Sequence, residues 1–172
     1  MHFVYRYCPR CAQPLTVEPL FGRPRAHCPA CGFIQFQNPK VAVAVLLTHG
    51  ARVALVQRAV IPRIGAWALP AGFMDFDEQP SAAALRELYE ETGVHGEITD
   101  LLGIFPMPQG GGVVITYAAH LTGDDTITAG DDVSDARWFT PATLPQDLAF
   151  ESTRTVLTQW VKSLHNDPPM VG

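Results

Sequence analysis

Apolar positions in this chain change rhythm several times, and each change predicts an element. From Val41 the run VAVAVLL is continuous and largely β-branched, the pattern of a buried strand. The segment VALVQR (53–58) reads as its antiparallel neighbour across a turn at His49-Gly50. A stretch punctuated by proline and glycine, IPRIGAWALPAGFMDF, follows and predicts a loop with a short apolar strand from Trp67 to Leu69. Helical spacing then runs from Pro80 to Thr92. Proline suits the first helical position, and Gly93 suits the C-terminal cap. Further strands are expected over 97–105 and 113–121, with a short one at Ala136–Phe139. FESTRTVLTQWVKSLH places Val156, Leu157, Trp160, Val161 and Leu164 on one helical face, and the tail NDPPMVG is expected to fray. There is no internal repeat. Before Asn38-Pro39 little could build a core, so the expected boundaries are a small module at 1–37, a main domain at 38–165 and a tail at 166–172.

Composition narrows the class. A chain of 172 residues can bury one good core with a small appendage. Apolar content is 47%, and the 15 prolines scatter instead of forming a tract, so disorder is not the reading. Net charge is −5, which disfavours bulk electrostatic binding of nucleic acid or anionic membrane. A local basic patch, Arg6, Arg10, Arg23 and Arg25, is the one feature that keeps nucleic acid in view. A small anionic substrate needs only a few cations or a metal and stays open. The N-terminus has no long apolar segment, and no apolar run reaches the roughly 20 residues needed to span a bilayer. A cytoplasmic protein is expected. The six histidines form no ligand-spaced pair with one another.

All four cysteines precede residue 32, as Cys8-Pro-Arg-Cys11 and Cys28-Pro-Ala-Cys31. Two CxxC pairs at this spacing match a tetrahedral four-thiolate metal site. Soft thiolates favour zinc over magnesium or calcium, with iron of the rubredoxin kind as an alternative. Two disulfides would suit a secreted protein, and a redox CxxC needs one pair beside a βαβ pattern. A ribbon this small would draw its folding energy from the metal. Four protein ligands close the site, so a structural role is expected.

A second cluster is acidic. In GFMDFDEQPSAAALRELYEETGV, Glu87, Glu90 and Glu91 stand at i, i+3 and i+4 and so leave one helical face, while Ala84, Leu85 and Leu88 can anchor the helix. A solvated acidic face is the plain alternative. Two observations argue against it. The carboxylates gather at the helix C-terminus, where the macrodipole disfavours each anion by about 0.3–1 kcal/mol. The loop LPAGF lies next to them and offers backbone groups. Hard oxygen ligands of this kind suit Mg²⁺ or Mn²⁺ holding substrate phosphates.

Gly72, Glu78 and the run Arg86-Glu87-Leu88-Tyr89-Glu90-Glu91-Thr92-Gly93-Val94 resemble the Nudix box, GX5EX7REUXEEXGU, at every fixed position. The resemblance implies an α/β/α sandwich with a mixed sheet, here preceded by a four-cysteine zinc ribbon. It implies hydrolysis of a pyrophosphate within a nucleoside diphosphate linked to another moiety. It also implies that Glu87, Glu90, Glu91 and the Ala71 carbonyl hold divalent metal, that one glutamate activates water, and that Arg86 orients them. Glu78 would have a supporting role. Asp132 falls where family members often place another acidic ligand or base; read otherwise it is a loop aspartate. Arg58 and Arg63 are candidates for neutralising phosphates, and Phe73, Phe105 and Phe150 for stacking on a base.

The ribbon, Asn38-Pro39-Lys40, the segment Gly65 to Phe73 and Ala136-Arg137-Trp138-Phe139 are similar to the NADH pyrophosphatase branch and its shorter zinc-ribbon relatives. The NADH branch carries an SQPWPFP-like array after the box. This chain instead reads IFPMPQGGGVVITYAAHL. That departure favours the short type, with ADP-ribose, FAD or a similar dinucleotide as substrate and an NADH or NAD-cap hydrolase as the alternative. A non-catalytic nucleotide-binding module is the rival of another class. A homodimer is expected from the resemblance.

Overall fold

A computed structural model describes residues 5–107, 111–130 and 132–166. Pro108–Gly110 of the IFPMPQGGG segment, Asp131 and tail residues 167–172 lie outside them. The chain divides into two compact units, Met1–Pro39 and Lys40–Gly172.

In the first unit, β1 (Thr16–Leu20) and β2 (Arg23–His27) form an antiparallel hairpin from Thr16↔His27 to Leu20↔Arg23. Phe21 and Gly22 turn it with φ of 51° and 75°. Two successive positive φ angles make the type I′ turn, whose twist suits a hairpin. Cys8, Ala26, Cys28 and Gln35 are the buried residues among those described here. With so little apolar burial, the centre of this unit is sulfur.

The second unit explains why VAVAVLL is continuous. Strand β3 (Lys40–His49) is covered on both faces, and its side chains alternate between two cores. Val43, Val45 and Leu47 pack with Ala83, Ala84 and Leu88 of α1 (Pro80–Thr92). Ala44 and Leu46 pack with Val156, Leu157 and Trp160 of α2 (Glu151–Asn166). Strand β4 (Arg52–Arg58) divides its side chains likewise: Ala54 faces α1, and Val53 and Leu55 face α2. The result is an α/β/α sandwich.

Strands β3 and β4 pair only at Thr48↔Val53 and His49↔Arg52, then diverge. The far part of β3 pairs instead with β6 (Ala71–Phe73), and β4 with β5 (Trp67–Ala68) and β9 (Val133–Phe139). On its other side β3 runs parallel to β8 (Gly112–Thr122), which pairs antiparallel with β7 (His95–Pro106), so the sheet is mixed. Strand β6 falls within the stretch expected to be loop. Its three residues carry no alternation that pattern could detect.

Helix α1 begins with Pro80 at its first turn and ends at Gly93, whose φ of 71° is left-handed and whose N–H donates to Tyr89 O at 2.8 Å. Its first turn contains no acidic residue and its last turn no basic one. The glutamates of its second half therefore face the negative end of the helix without a dipole partner, as expected.

Candidate active site and metal centre

The four cysteine sulfurs lie within 4.8 Å of one another, with Cys8–Cys31 and Cys11–Cys28 each at 3.5 Å. No disulfide joins them. Four sulfurs about 2.3 Å from one zinc would sit roughly 3.8 Å apart, so the quartet has the right size. Each knuckle closes in the same way: Ala12 N–H donates to Cys8 O and Gly32 N–H to Cys28 O, both at 2.9 Å. The matching residues Ala12 and Gly32 share left-handed φ, 59° and 74°. Burial raises the Cys8 thiol, but N–H groups of Arg10 and Cys11 and the neighbouring thiols outweigh it and bring it to about 7. At Cys11 the Gln13 N–H favours the thiolate, yet surrounding sulfurs and burial push it up to about 12. Four thiols this close ionise together only beside a cation.

The acidic site is assembled from β6, α1, the end of β4 and the loop before β9. Arg86 is its hub. Its Nε and Nη2 clasp Glu78 at 2.6 and 2.8 Å, its Nη1 bonds both Glu87 and Glu90 at 2.9 Å, and Nη2 also reaches Phe73 O at 3.2 Å. The two-pronged contact holds Glu78 down at about 2. Glu91 turns to the other side and accepts the Ala71 N–H at 3.0 Å. Burial is the main reason its pKa is pushed up to about 8. Glu87 and Asp132 add to the rise, while the Ala71 N–H and Arg58 oppose it. Burial likewise raises Glu87, against the pull of Arg86. Among the described residues the cysteine quartet is the one such group whose ligand atoms all lie within 4.8 Å, so the glutamates share a face without meeting at a point.

Gly72 shows how tightly this is fitted. A Cβ there would fall 2.1 Å from the Glu87 carboxylate, so the box glycine is the space in which Glu87 sits. The donor set fits a hard divalent cation: acidic oxygens in surplus over Arg86 and Arg58, part of them desolvated.

A NUDIX domain profile matches residues 38–161 of the chain. The chain belongs to the Nudix family of pyrophosphohydrolases. It is 31% identical to an ADP-ribose pyrophosphatase of Methanocaldococcus jannaschii, over 70% of this chain and 73% of that one. It is 27% identical to the NAD-capped RNA hydrolase NudC of Deinococcus radiodurans, over 93% of this chain and 58% of that longer relative. The crystal structure of a NUDIX hydrolase from Nitrosomonas europaea superposes with a TM-score of 0.88 at 30% identity, covering 98% of this chain and 97% of that one.

Within this Nudix fold the remaining candidates separate. Asp132 lies close enough to Glu91 to raise its pKa, and its carbonyl accepts the Ala59 N–H at 3.3 Å. Arg58 is its neighbour across the sheet. Its guanidinium lies 5.0 Å from the centre of the Phe150 ring, it donates to Pro62 O at 2.8 Å, and it opposes the charge of Glu91. Arg63 is tied to Asp147 at 2.6 Å. Phe73 is exposed, with the Lys40 ammonium 5.0 Å from its ring centre. Phe105 packs against the α2-side core instead.

Pattern reading missed the segment that delivers Asp132. Thr128 N–H donates to Thr92 O at 2.9 Å and Gly130 N–H to Glu91 O at 3.2 Å, capping carbonyls that α1 leaves unpaired. A Cβ on Gly130 would fall 1.8 Å from Glu90 O. The glycine in TAGDD was the available signal.

Proposed function

We propose that this Nudix enzyme hydrolyses the pyrophosphate bond of a nucleoside diphosphate linked to another moiety, of the ADP-ribose or FAD type. The products would be a nucleoside monophosphate and a phosphorylated second fragment. The observation that carries the reading is Glu91, desolvated against the Ala71 N–H and faced by Glu87, Asp132 and Arg58. The named pyrophosphatase relative from Methanocaldococcus supports the choice of substrate class.

In this reading Glu87, Glu90, Glu91, Asp132 and the Ala71 carbonyl hold Mg²⁺ or Mn²⁺. The bound cation supplies neutralisation of the diphosphate and a lowered pKa for water. Arg86 fixes Glu87 and Glu90 through one nitrogen, and Glu78 fixes Arg86 through two bonds. Glu91 fits the role of proton acceptor. Its Oε2 is oriented by a backbone donor, the Ala71 N–H. Arg58, held by backbone carbonyls and Phe150, offers positive charge to a phosphate. Phe73 offers an exposed ring for a base. The four cysteines hold a structural zinc, and the boundaries are 1–37 for the ribbon and 38–165 for the Nudix domain. A homodimer located in the cytoplasm completes the proposal. No helix among the described residues is long and apolar enough to cross a membrane.

The test is a substrate panel with Mg²⁺: ADP-ribose, FAD, NADH, NAD⁺, diadenosine polyphosphates and nucleoside triphosphates. Glu91→Gln should lose about 10³-fold or more in turnover. No turnover on any compound, or full turnover in the variant, would overturn the reading. A second reading, an NADH or NAD-cap hydrolase, draws on the NudC match that spans 93% of the chain. Preference for NADH or NAD-capped RNA over ADP-ribose and FAD would select it.

A further inference from the structure

The chain's acidity hides a charge division. Residues 1–39 hold four arginines against one glutamate, a net charge of +3. With −5 for the whole chain, the other 133 residues carry −8. A four-thiolate zinc centre would remove about two units, and the unit stays positive. One averaged value therefore says nothing about the ribbon's own surface.

That surface is aromatic as well as basic. Phe21, at the tip of the β1–β2 hairpin, is 74% exposed, and Phe36 is 51% exposed. Their rings stack with centroids 6.1 Å apart and planes 29° from parallel. Arg25 lies over Phe36, 4.7 Å from its centroid, and its Nε donates to Leu20 O at 3.2 Å. The bridge His27↔Ile34 explains the juxtaposition: two residues further along, an antiparallel register sets Phe36 opposite Arg25. Arg23, exposed and two residues from Arg25, projects from the same face of β2.

Exposed rings cost the free protein solvation, and the metal knuckles do not require them. A small hairpin that presents stacked phenyl faces beside arginines has the chemistry of a single-strand platform. Unpaired bases stack on the rings while arginines meet the phosphates. A purely electrostatic binder would not need Phe21 and Phe36, and a purely apolar interface would not bring Arg23 and Arg25 to them. We propose that this face of the ribbon binds a single-stranded nucleic acid, independently of the hydrolytic site.

The test uses the full-length, zinc-loaded protein, a labelled 12-nucleotide single-stranded RNA, and fluorescence anisotropy at low salt without added magnesium. Phe36→Ala should weaken binding about tenfold, the loss of one stacking ring. Arg23→Gln should reduce the slope of log affinity against log salt by about 0.7, the loss of one phosphate contact. Both variants should keep wild-type turnover of a small dinucleotide substrate and their zinc. If Phe36→Ala loses zinc through misfolding, Arg23→Gln and Phe21→Ala carry the decision. No binding at low salt, equal affinity for a duplex of the same sequence, or unchanged affinity in every variant would overturn the proposal. No strand binding at all would leave a protein partner as the reading of this face. Because binding is read without hydrolysis, failure here is distinct from failure of the catalytic assignment.

Discussion

The chain gathers candidate ligands twice, and the two clusters are built in opposite ways. The cysteine quartet comes from two tight knuckles and is complete: four soft donors within 4.8 Å, with each turn closed by its own backbone. The carboxylate cluster draws on β6, α1, β4 and the loop before β9. Its donors are hard, and an arginine holds two of them apart from the third. A closed set suits an ion that stays and stabilises, whereas an open set of unequal carboxylates suits an ion shared with a substrate. A complete quartet of like donors is thus a mark of structure, and an incomplete set of unequal ones a mark of chemistry.

The largest contrast should come from crossed substitutions. Glu91→Gln is expected to abolish turnover by about 10³-fold or more while zinc content stays near one per chain. Cys28→Ser should do the reverse at the metal: zinc content falls to near zero and the ribbon loses its fold, because sulfur is its core. Atomic emission spectroscopy and a turnover assay on each variant would read both, and zinc retained in Cys28→Ser would break the contrast.

Gly72→Ala comes next. The three atoms nearest its Cβ would be those at the end of the Glu87 side chain, which must leave its bond to Arg86 to make room. Melting temperature should change little while turnover falls by about tenfold to a hundredfold, because the carboxylate is displaced from its place. Equal turnover would show that Glu87 is not held by this fit.

A smaller effect concerns pH. Glu91 is pushed up to about 8 from an ordinary value of 4.5, so the unfolded chain sheds this proton first. Ionising it therefore costs the folded protein stability as pH climbs from about 4.5 to about 8. In chelator mild enough to leave the ribbon loaded, Glu91→Gln should melt no higher than wild type at pH 4. Its advantage should then grow and level off above pH 8. Addition of Mg²⁺ should shrink that advantage by stabilising wild type. A difference that is flat from pH 4 to 9 would break the assignment of a desolvated carboxyl.

The smallest effect belongs to the ribbon. Ala12 holds a left-handed conformation that its counterpart Gly32 adopts without steric cost. Ala12→Gly should stabilise the zinc-loaded protein by about 0.5–1 kcal/mol in denaturant titration. A destabilised variant would show that the methyl group packs usefully.

Several features are legible in the sequence alone. The continuous apolar run announced a strand covered on both sides. Pro80 and Gly93 bounded α1, and the i, i+3, i+4 glutamates and paired CxxC motifs named both clusters. These signals are local: periodicity, caps and ligand spacing act over a few residues and survive any tertiary arrangement. The rest was decided by distant parts of the chain meeting. Only pairing with β3 makes a strand of Ala71–Phe73, which sets the Ala71 N–H against Glu91 and leaves at Gly72 the room Glu87 occupies. The Thr128–Gly130 contacts with the end of α1, together with the Ala59 N–H, bring Asp132 near Glu91, and the packing of Phe105 against the α2-side core follows from its strand's register. Residue types and spacing decide which chemistry a chain can perform. Desolvation and proximity, which shift a carboxyl and fit a glycine beneath it, exist only once the sheet and helix have packed.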